Sequence, residues 1–544
     1  MTMYAVDFKK FAGTPKLFLD FINCREPACR FFKHNFRSPG SYKAVAEQID
    51  GTSYDRKMLA SVILGGASSI GLSQATLKNI EKLERPDSLC VMAGQQVGML
   101  LGPMYTILKA LTAYKLAQRL EIELERPVVP CFWLASDDHD FDEIKTVNLL
   151  DRDGNCKSIT YEPQMLRVGA PMSDVILNDD IQQFSLDIET NLIPTEFRES
   201  VVAIVRAAYK SGRSVSQAFA ILFDTFLSDF GIVPVDPNYP GMKKLFEPVF
   251  RREIEHHEAV YEIFEKHSKK IIDSGYHRQV HKAADSLNLF YSNGARRNIL
   301  VSGDNYRLDG HDDSYSRNDM LKLLSESTDK FSPNVTLRPI AQSFAIPTIS
   351  QIVGPSEAAY FAQIGPLFDY HGVPFPVIRP RIFATILEPH IKKMMQKFSV
   401  DFAGLSNDKE FEAGRIIREN FPDETQSQAE NLQIQIERLL AEVAEPLKTN
   451  DLESYQAMDH TRRRILHELN HLSKKLFMAH KKKHEDARER VHKIAKFVLP
   501  NGNFQERVIS PVYFANKFGT DIFRRIEGNF EIESIAHQLV EIEA

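Results

Sequence analysis

The 544-residue chain contains few cysteines, a single tryptophan and no long hydrophobic run. Its five cysteines are odd in number and scattered, and Cys24 and Cys29 form one C-x4-C motif without a second pair. This pattern fits neither a disulfide framework nor a zinc site, so we expect a reducing, cytoplasmic environment. The first residues lack the apolar segment of a signal peptide, and no apolar run approaches the ~20 residues of a membrane helix. We therefore expect no membrane partner.

The chain also lacks a surplus of positive charge. It contains 67 lysines and arginines and 73 aspartates and glutamates, which gives a net charge of −6. A general nucleic-acid binder would carry a basic face, so we expect no nucleic-acid partner. Hydrophobic residues make up 43% and charged residues 26%, which is an ordinary globular balance, and the length predicts roughly two to four domains.

Up to about residue 390, short apolar runs alternate with amphipathic stretches. Continuous apolar strands that alternate with helices predict an α/β fold with a parallel sheet covered on both faces. Pro103 suits the first turn of the helix that follows the first run. The predicted strands lie within segments 89–94, 127–136, 230–237, 346–354 and 373–380.

Beyond residue 390 the apolar residues follow three- and four-residue spacings, from Ala429 to Val443 and again from Met458 to Ala479. We predict a helix hairpin with coiled-coil seams, broken at 446–451, whose second helix covers about 452–498. The predicted division is 1–155 and 331–390 for the core, 156–330 for further core elements with insertions, 391–498 for the coiled coil, and 499–544 for a C-terminal segment that returns to the core.

A turn with three glycines, at 94, 98 and 102, links the first predicted strand to its helix. Ligands of open parallel sheets bind at the carboxyl ends of strands, where a helix N-terminus attracts anions. Gln95 and Gln96 add amide donors and acceptors at this point. The spacing matches neither the dinucleotide nor the P-loop signature, so an anion site and a purely geometric turn both remain open.

Three aspartates surround a histidine directly after the second predicted strand, at 137–140. One aspartate suffices to cap the next helix. Asp138 and Asp140 further suit His139 as a general acid or base, because a neighbouring carboxylate fixes the tautomer of an imidazole and favours its charged form. Catalysis, capping and metal binding are the three interpretations of this cluster.

Two later strand ends carry polar side chains as well. Gly354 and Pro355 precede a helix whose first turn holds Glu357, while Arg379 and Arg381 close the last predicted strand. Alternate residues of an extended chain point the same way, so we expect two adjacent guanidiniums that suit a phosphate or a dicarboxylate. The plainer alternatives are an ordinary acidic first turn and solvated loop arginines.

The sequence HELNH at 467–471 matches the H-E-x-x-H zinc signature. The seam residues around Leu469 define the opposite helix face, so His467 and His471 are expected to face solvent, and no third ligand is evident. We predict no metal site.

Seven motifs in this order resemble one family. They are GQQVGMLLGPMYTILKALTAYKLA, VPCFWLASDDHDFDEI, GYHRQVHK (275–282), NLFYSNGARRNIL (288–300), SPNVTLRPI (332–340), VGPSEAAYFAQ (353–363) and PNGNFQERV (500–508). They are distributed between residues 94 and 508, and with them the chain resembles, over nearly its whole length, the BshC family, the cysteine-adding enzymes of bacillithiol biosynthesis. The chain departs from the family pattern in reading DDHD where EDHD is common, and VGPSE where GGPGE is common.

The resemblance implies a Rossmann-like core with connecting-peptide insertions, similar to class I aminoacyl-tRNA synthetases, and a coiled coil that forms a homodimer. It implies a ligase that joins cysteine to the amine of glucosaminyl malate in the last step of bacillithiol synthesis. Formation of an amide requires an activated carboxylate, so a nucleotide, ATP or ADP, is the expected cofactor, with magnesium as a possible companion.

By the same resemblance, the catalytic group is His139, Asp138, Asp140 and Glu357. Substrate binding falls to Gln95, Gln96, Gly354, Pro355, Arg379 and Arg381, and nucleotide contacts fall to Asn501, Gln505 and Arg507. The rival hypotheses are a metabolite-binding scaffold that acts through its helical arm, and a ligase for a different amino acid.

Overall fold

The computed structural model describes residues 4–164, 169–311, 313–420 and 424–542. The chain forms two compact units. The first comprises the residues up to Leu387 together with Asn503–Ile542, and the second comprises Glu388–Gly502. Among the described residues, none of the helices combines the length and the apolar character that a bilayer-spanning helix requires.

The elements are numbered in chain order over the described residues. The strands are β1 Tyr4–Val6, β2 Leu89–Gln95, β3 Val128–Leu134, β4 Thr146–Leu150, β5 Cys156–Thr160, β6 Val233–Val235, β7 Ser286–Ser292, β8 Arg296–Ser302, β9 Asn305–Leu308, β10 Ser314–Ser316, β11 Phe331–Pro333, β12 Thr348–Val353, β13 Val377–Pro380, β14 Phe383–Leu387 and β15 His537–Glu541. The α-helices are α1 Lys16–Ile22, α2 Pro39–Asp50, α3 Arg56–Gly66, α4 Gln74–Leu83, α5 Tyr105–Leu124, α6 Phe141–Ile144, α7 Asp180–Asn191, α8 Arg198–Ala208, α9 Val215–Phe226, α10 Met242–Asp273, α11 Arg317–Glu326, α12 Arg338–Ala345, α13 Pro355–His371, α14 Pro389–Lys397, α15 Phe402–Asn407, α16 Lys409–Asn420, α17 Glu424–Asn450, α18 Leu452–Val498, α19 Pro511–Phe518 and α20 Ile522–Asn529.

The core of the first unit is a parallel sheet of five strands in the order β13-β12-β2-β3-β6. These strands fall in the five segments that were predicted from their apolar runs, and every residue of β3 and β12 is buried. The prediction of a parallel sheet is therefore confirmed. We number these five strands from 1 to 5 in the order in which they occur along the chain. Read from β6 to β13, their order across the sheet is then 3-2-1-4-5, which is the Rossmann order.

Three smaller sheets surround this core. β4 and β5 form a hairpin, and β1, β15 and β14 join the two ends of the first unit. The antiparallel sheet β10-β9-β8-β7-β11 lies between the third and fourth core strands in the chain. It is an insertion into the Rossmann order.

The second unit contains the helix hairpin. Gln433 Nε2 of α17 donates a hydrogen bond to Asn470 Oδ1 of α18 at 3.2 Å, and Arg462 lies 3.8 Å from Glu437 across the same pair. The second helix matches the predicted range. The predicted break at 446–451 is too long, because α17 continues to Asn450 and only Asp451 separates the two helices. A proline costs a helix one hydrogen bond, and pairing with α18 holds α17 together in spite of it.

The seam of the hairpin is incompletely covered within one chain. Leu432, Leu439, Val443 and Leu472 have exposed fractions of 49%, 60%, 56% and 49%. The side chains of the predicted seam residues Ala429, Leu476 and Ala479 lie outside the described part of the chain. His467 and His471 are exposed, and no group of three metal-ligating side chains occurs among the described residues.

Candidate functional site

A polar crevice of about 580 Å³ opens at the carboxyl edge of the parallel sheet, beside β2 and β12. The chain order reverses between these two strands, and ligands of open α/β sheets bind at such switch points. The volume suits a small-molecule site. The charged and amide side chains in its wall include those of Gln95, Gln96, Lys109, Asp137, Asp138, Glu143, Arg296, Asn334, Arg338, Gln342, Gln351, Glu357, Arg381 and Arg507.

A buried ion pair crosses the switch point. Lys109 Nζ of α5 lies 2.7 Å from Glu357 Oε2 and donates to Gly94 O and Gln95 Oε1, each at 2.9 Å. Glu357 Oε2 also accepts the Gly354 amide at 2.7 Å, which fixes the first turn of α13. Burial lowers the pKa of Lys109, and the nearby Glu357 carboxylate opposes that shift. The pair therefore joins the end of β2 to the start of α13.

Gln96 organises the acidic side of the crevice. Its Nε2 donates to Asp138 Oδ2 and to Glu143 Oε2, each at 2.7 Å. Burial alone would raise the pKa of Asp138, but the hydrogen bonds from Gln96 and from the amides of the next two residues outweigh burial and lower it. Asp138 is thereby held as a carboxylate in the crevice wall.

The rest of the DDHD turn differs from the prediction. Asp140 is the N-cap of α6 and accepts a hydrogen bond from the Glu143 amide at 3.2 Å. This agrees with the interpretation of the turn as a helix cap. His139 Nδ1 lies 3.9 Å from Asp138 Oδ1, too far for a hydrogen bond, and its side chain is 45% exposed. Neither Asp140 nor His139 is in the crevice wall, because the turn directs them to the surface.

Asp137 is the member of this turn that is most deeply buried. Its Oδ1 lies 2.9 Å from Lys243 Nζ, and the side chains are only 8% and 6% exposed. Asp137 lines the crevice, while Lys243 lies behind it at the start of α10.

The two arginines at the end of β13 diverge instead of lying side by side. Arg379 is fully buried within β13 and donates to the Phe36 and Ile532 carbonyls at 3.2 and 2.6 Å, so it links distant segments of the core. Arg381 stands after the strand has ended and lines the crevice. The prediction of two adjacent guanidiniums is wrong. The strand β13 ends at Pro380, and the alternating side-chain directions of an extended strand end with it.

The crevice wall nevertheless carries excess positive charge. Arg381 is neutralised by Glu506 through hydrogen bonds of 2.9 and 2.6 Å. Arg296, Arg338 and Arg507 form no ion pair with the described residues of the chain. Arg296 is held by hydrogen bonds of 3.0 Å to Ser332 Oγ and Pro333 O, and its guanidinium stacks 3.8 Å from the Phe290 ring centroid. The carboxylates of Asp137 and Asp138 act on Arg296 and oppose the lowering of its pKa by burial. Arg338 and Arg507 are therefore the guanidiniums of this group that remain available to anionic groups.

The predicted nucleotide contacts do not form one cluster in the first unit. Arg507 lines the crevice, but the buried Gln505 amide accepts from Ile386 N at 2.8 Å and donates to Ile386 O at 3.1 Å. Gln505 is thereby used as a backbone crosslink to β14. Asn501 belongs to the second unit and has a φ of 53°.

The structure therefore brings eight predicted site residues into one crevice, namely Gln95, Gln96, Asp138, Gly354, Pro355, Glu357, Arg381 and Arg507. The wall also contains residues that were not predicted as site residues, among them the five side chains of Lys109, Trp133, Asp137, Arg296 and Arg338. All five lie inside the motifs that carry the family resemblance. Their positions within those motifs could have identified them as wall residues. No rule of local spacing could have done so, because the residues are far apart in the chain.

The fold and the crevice define a Rossmann-like α/β protein with a small-molecule site at the switch point and a helical second unit. Residues 1–382 match the family model of the bacillithiol biosynthesis BshC N-terminal Rossmann-like domain, and residues 384–542 match that of the C-terminal coiled-coil domain. The chain belongs to the BshC family.

Curated relatives match over nearly their full lengths. The proteins of Salinibacter ruber, Chloroherpeton thalassium and Solibacter usitatus are 31%, 28% and 29% identical to this chain. The alignments cover 97% of this chain in each case and 96%, 97% and 97% of the relatives. Each of these relatives carries the name "Putative cysteine ligase BshC".

Proposed function

We propose that this protein is a ligase that joins the carboxyl group of L-cysteine to the amine of glucosaminyl malate, the last step of bacillithiol biosynthesis. Family membership and the names of the relatives support a ligase of this pathway. The observation that carries the proposal is the crevice at the switch point, with acidic and basic groups in one wall. Joining an amine to a carboxylate requires a site that accepts both kinds of charge.

Arg338 and Arg507 suit the anionic groups of the substrates, whereas Arg381 is already neutralised by Glu506. A guanidinium presents a planar fork of donors that matches carboxylates and phosphates. Glucosaminyl malate carries two carboxylates, and the activating nucleotide carries phosphates. The unpaired guanidiniums of Arg338 and Arg507 fit such groups, and ATP with Mg²⁺ would supply the activation of the cysteine carboxylate.

The chain's own residues hold the reacting groups in place. The Lys109–Glu357 pair fixes β2 against α13, so that the two walls of the crevice keep their spacing. Glu357 is 24% exposed and lines the crevice, which leaves its carboxylate able to receive a substrate ammonium group. The exposed apolar seam of the hairpin supports a homodimer through the second unit.

The test is mass spectrometry of the purified protein with cysteine, glucosaminyl malate, ATP and magnesium. We expect the amide product, and release of AMP or ADP distinguishes adenylyl from phosphoryl transfer. Binding of the sugar without product would favour the metabolite-binding scaffold, and product with another amino acid would correct the specificity.

Glu357→Gln is the first variant for this assay. It removes one charge from the crevice, and we expect at least about a tenfold loss of product formation, because charged hydrogen bonds are worth more than 1 kcal/mol. Asp142→Asn is the matched control, since it removes the same charge from a side chain that is 85% exposed on α6. Equal activity of both variants would contradict the role of Glu357.

A further inference from the structure

Two half-buried cysteines of the first unit lie in contact outside the crevice. Cys24 follows α1, and Cys29 belongs to the short 3-10 turn Ala28–Phe31. At the surface, Cys24 Sγ donates a hydrogen bond to Asn35 Oδ1 at 3.4 Å, and the Cys29 thiol is hydrogen-bonded to Cys24. The C-x4-C motif of the sequence therefore brings two thiols together, and neither of them lines the crevice.

The segment that joins these cysteines is anchored at both ends. Phe21, before Cys24, stacks on Phe32, after Cys29, with the ring centroids 4.0 Å apart, and both rings are buried. Cys29 N donates to Arg25 O at 3.2 Å, which holds the turn between them. A disulfide requires Cβ atoms that lie about 3.5–4.5 Å apart. Thiols that already touch reach this geometry by a small adjustment of the turn.

A second pair of cysteines provides the contrast. Cys90 of β2 and Cys131 of β3 are also hydrogen-bonded to each other, but both are fully buried in the parallel sheet. Thiol reactivity requires access for the reagent, so buried cysteines of this kind are inert. Cys24 and Cys29 combine the same contact with a position at the surface, where a dissolved oxidant can reach them.

We propose that Cys24 and Cys29 form a redox-active dithiol, which closes to a reversible disulfide by exchange with the disulfide of a low-molecular-weight thiol. The dithiol is separate from the crevice, and its chemistry does not depend on the proposed function. Its context rests on that function, because a ligase that consumes cysteine and forms a thiol product meets the disulfides of both under oxidising conditions.

The exchange takes place in two steps. The Cys24 thiolate attacks one sulfur of the small disulfide, the bond between the two small-molecule sulfurs breaks, and one small thiolate leaves with the electron pair. The Cys29 thiolate then attacks Cys24 Sγ, and the second small thiolate leaves. The two small thiolates take up the two protons that the cysteines lose. The small disulfide is thereby reduced to two thiols, while the protein pair is oxidised.

The surroundings of the two thiols support this order. Burial, together with the neighbouring Cys24 thiol and the Glu26 carboxylate, raises the pKa of the Cys29 thiol. Cys29 is thus a poor first nucleophile towards a dissolved disulfide, because the thiolate is the attacking species. It suits the second step, in which its target sulfur is already held beside it.

The test treats the native full-length protein with cystine, blocks the remaining thiols with iodoacetamide, and maps tryptic peptides by mass spectrometry without reduction. Cleavage after Arg25 separates the two cysteines, so their disulfide appears as peptide 17–25 joined to peptide 26–30. We expect this joined pair, its loss after dithiothreitol, and no joined peptides that carry Cys90 and Cys131, the matched buried control. Peptides 17–25 and 26–30 that stay separate, alkylated or each bound to cysteine, would overturn the proposal. A Cys90–Cys131 disulfide that forms equally fast would overturn it as well.

Two single substitutions test the order of attack. Cys29→Ser removes the second nucleophile, so we expect a stable mixed disulfide of Cys24 with cysteine on peptide 17–25. Cys24→Ser leaves Cys29 alone, which should react about tenfold more slowly with cystine. Equal rates of the two variants would overturn the assigned order. Both variants should keep the wild-type ligase activity in dithiothreitol, and loss of that activity in the wild type as well would count against the proposed function alone.

Discussion

At the residue scale, burial and partners decide what each charged group does. Arg379 and Arg381 are two positions apart, yet one is a fully buried link between core segments and the other lies in the crevice wall. Asp137 and Asp140 likewise share one turn, but the first lines the crevice and the second caps α6. The residue type limits the roles that a charged side chain can have. Which of these roles it has depends on where the backbone places it.

His371 provides a pH test at this scale. Burial, with a smaller contribution from Arg252, lowers its pKa to about 4, and neither ring nitrogen has a partner among the described residues. Between pH 6.5 and about 4 the unfolded histidine therefore binds a proton that the folded one does not. Stability consequently falls as the pH falls through this range, by about 1.4 kcal/mol per pH unit.

We expect His371→Leu to reduce the loss of stability between pH 7 and pH 5 by about 2 kcal/mol relative to wild type. Urea unfolding at each pH measures this, with fluorescence of Trp133, the single tryptophan, as the probe of the first unit. The comparison must be between variants, because burial raises the pKa of Asp236 to about 6, which stabilises the folded state as the pH falls. Parallel pH profiles of variant and wild type would contradict the prediction.

At the scale of elements, the switch point depends on contacts between strands and helices that are distant in the sequence. β2 and β12 are adjacent in the sheet although about 250 residues separate them, and the insertion β7–β11 contributes Phe290, Arg296 and Pro333 to the crevice. The wall is thus assembled from at least four separate segments. Damage to a contact between them should affect both stability and ligand binding.

Lys109→Met tests this coupling. Breaking a buried ion pair costs about 3–5 kcal/mol, and we expect about 3 kcal/mol here because Glu357 is 24% exposed. The double variant Lys109→Met/Glu357→Gln should recover part of this loss, since no unpaired charge is left. Trp133 fluorescence in urea measures both variants. Additive losses in the double variant would show that the two side chains do not interact.

At the scale of the whole molecule, the apolar seam of the hairpin predicts the oligomeric state. Leu432 and Leu439 are half exposed in one chain, and a second copy that covers them would remove apolar surface from water. We expect a mass near twice the 62.0 kDa of one chain in sedimentation equilibrium.

The variant Leu432→Glu/Leu439→Glu should give a monomer with unchanged helix content. Ile434→Glu is the matched control, because Ile434 is 65% exposed but lies off the seam, so it should remain dimeric. A wild-type monomer, or a dimer that survives the double substitution, would contradict dimerisation through this seam.

The parallel sheet, the long second helix of the hairpin and much of the crevice could be predicted from the amino-acid sequence. These follow from local patterns: apolar runs that end in polar turns, heptad-like spacing, and motifs at strand ends. The set of residues that share the crevice depends instead on how the elements pack together. The Lys109–Glu357 pair joins residues about 250 positions apart, and the opposite roles of Arg379 and Arg381 depend on where β13 ends. The physical reason is that a local pattern reports which face of an element is buried, whereas the partner of a buried charge is set by which elements pack together.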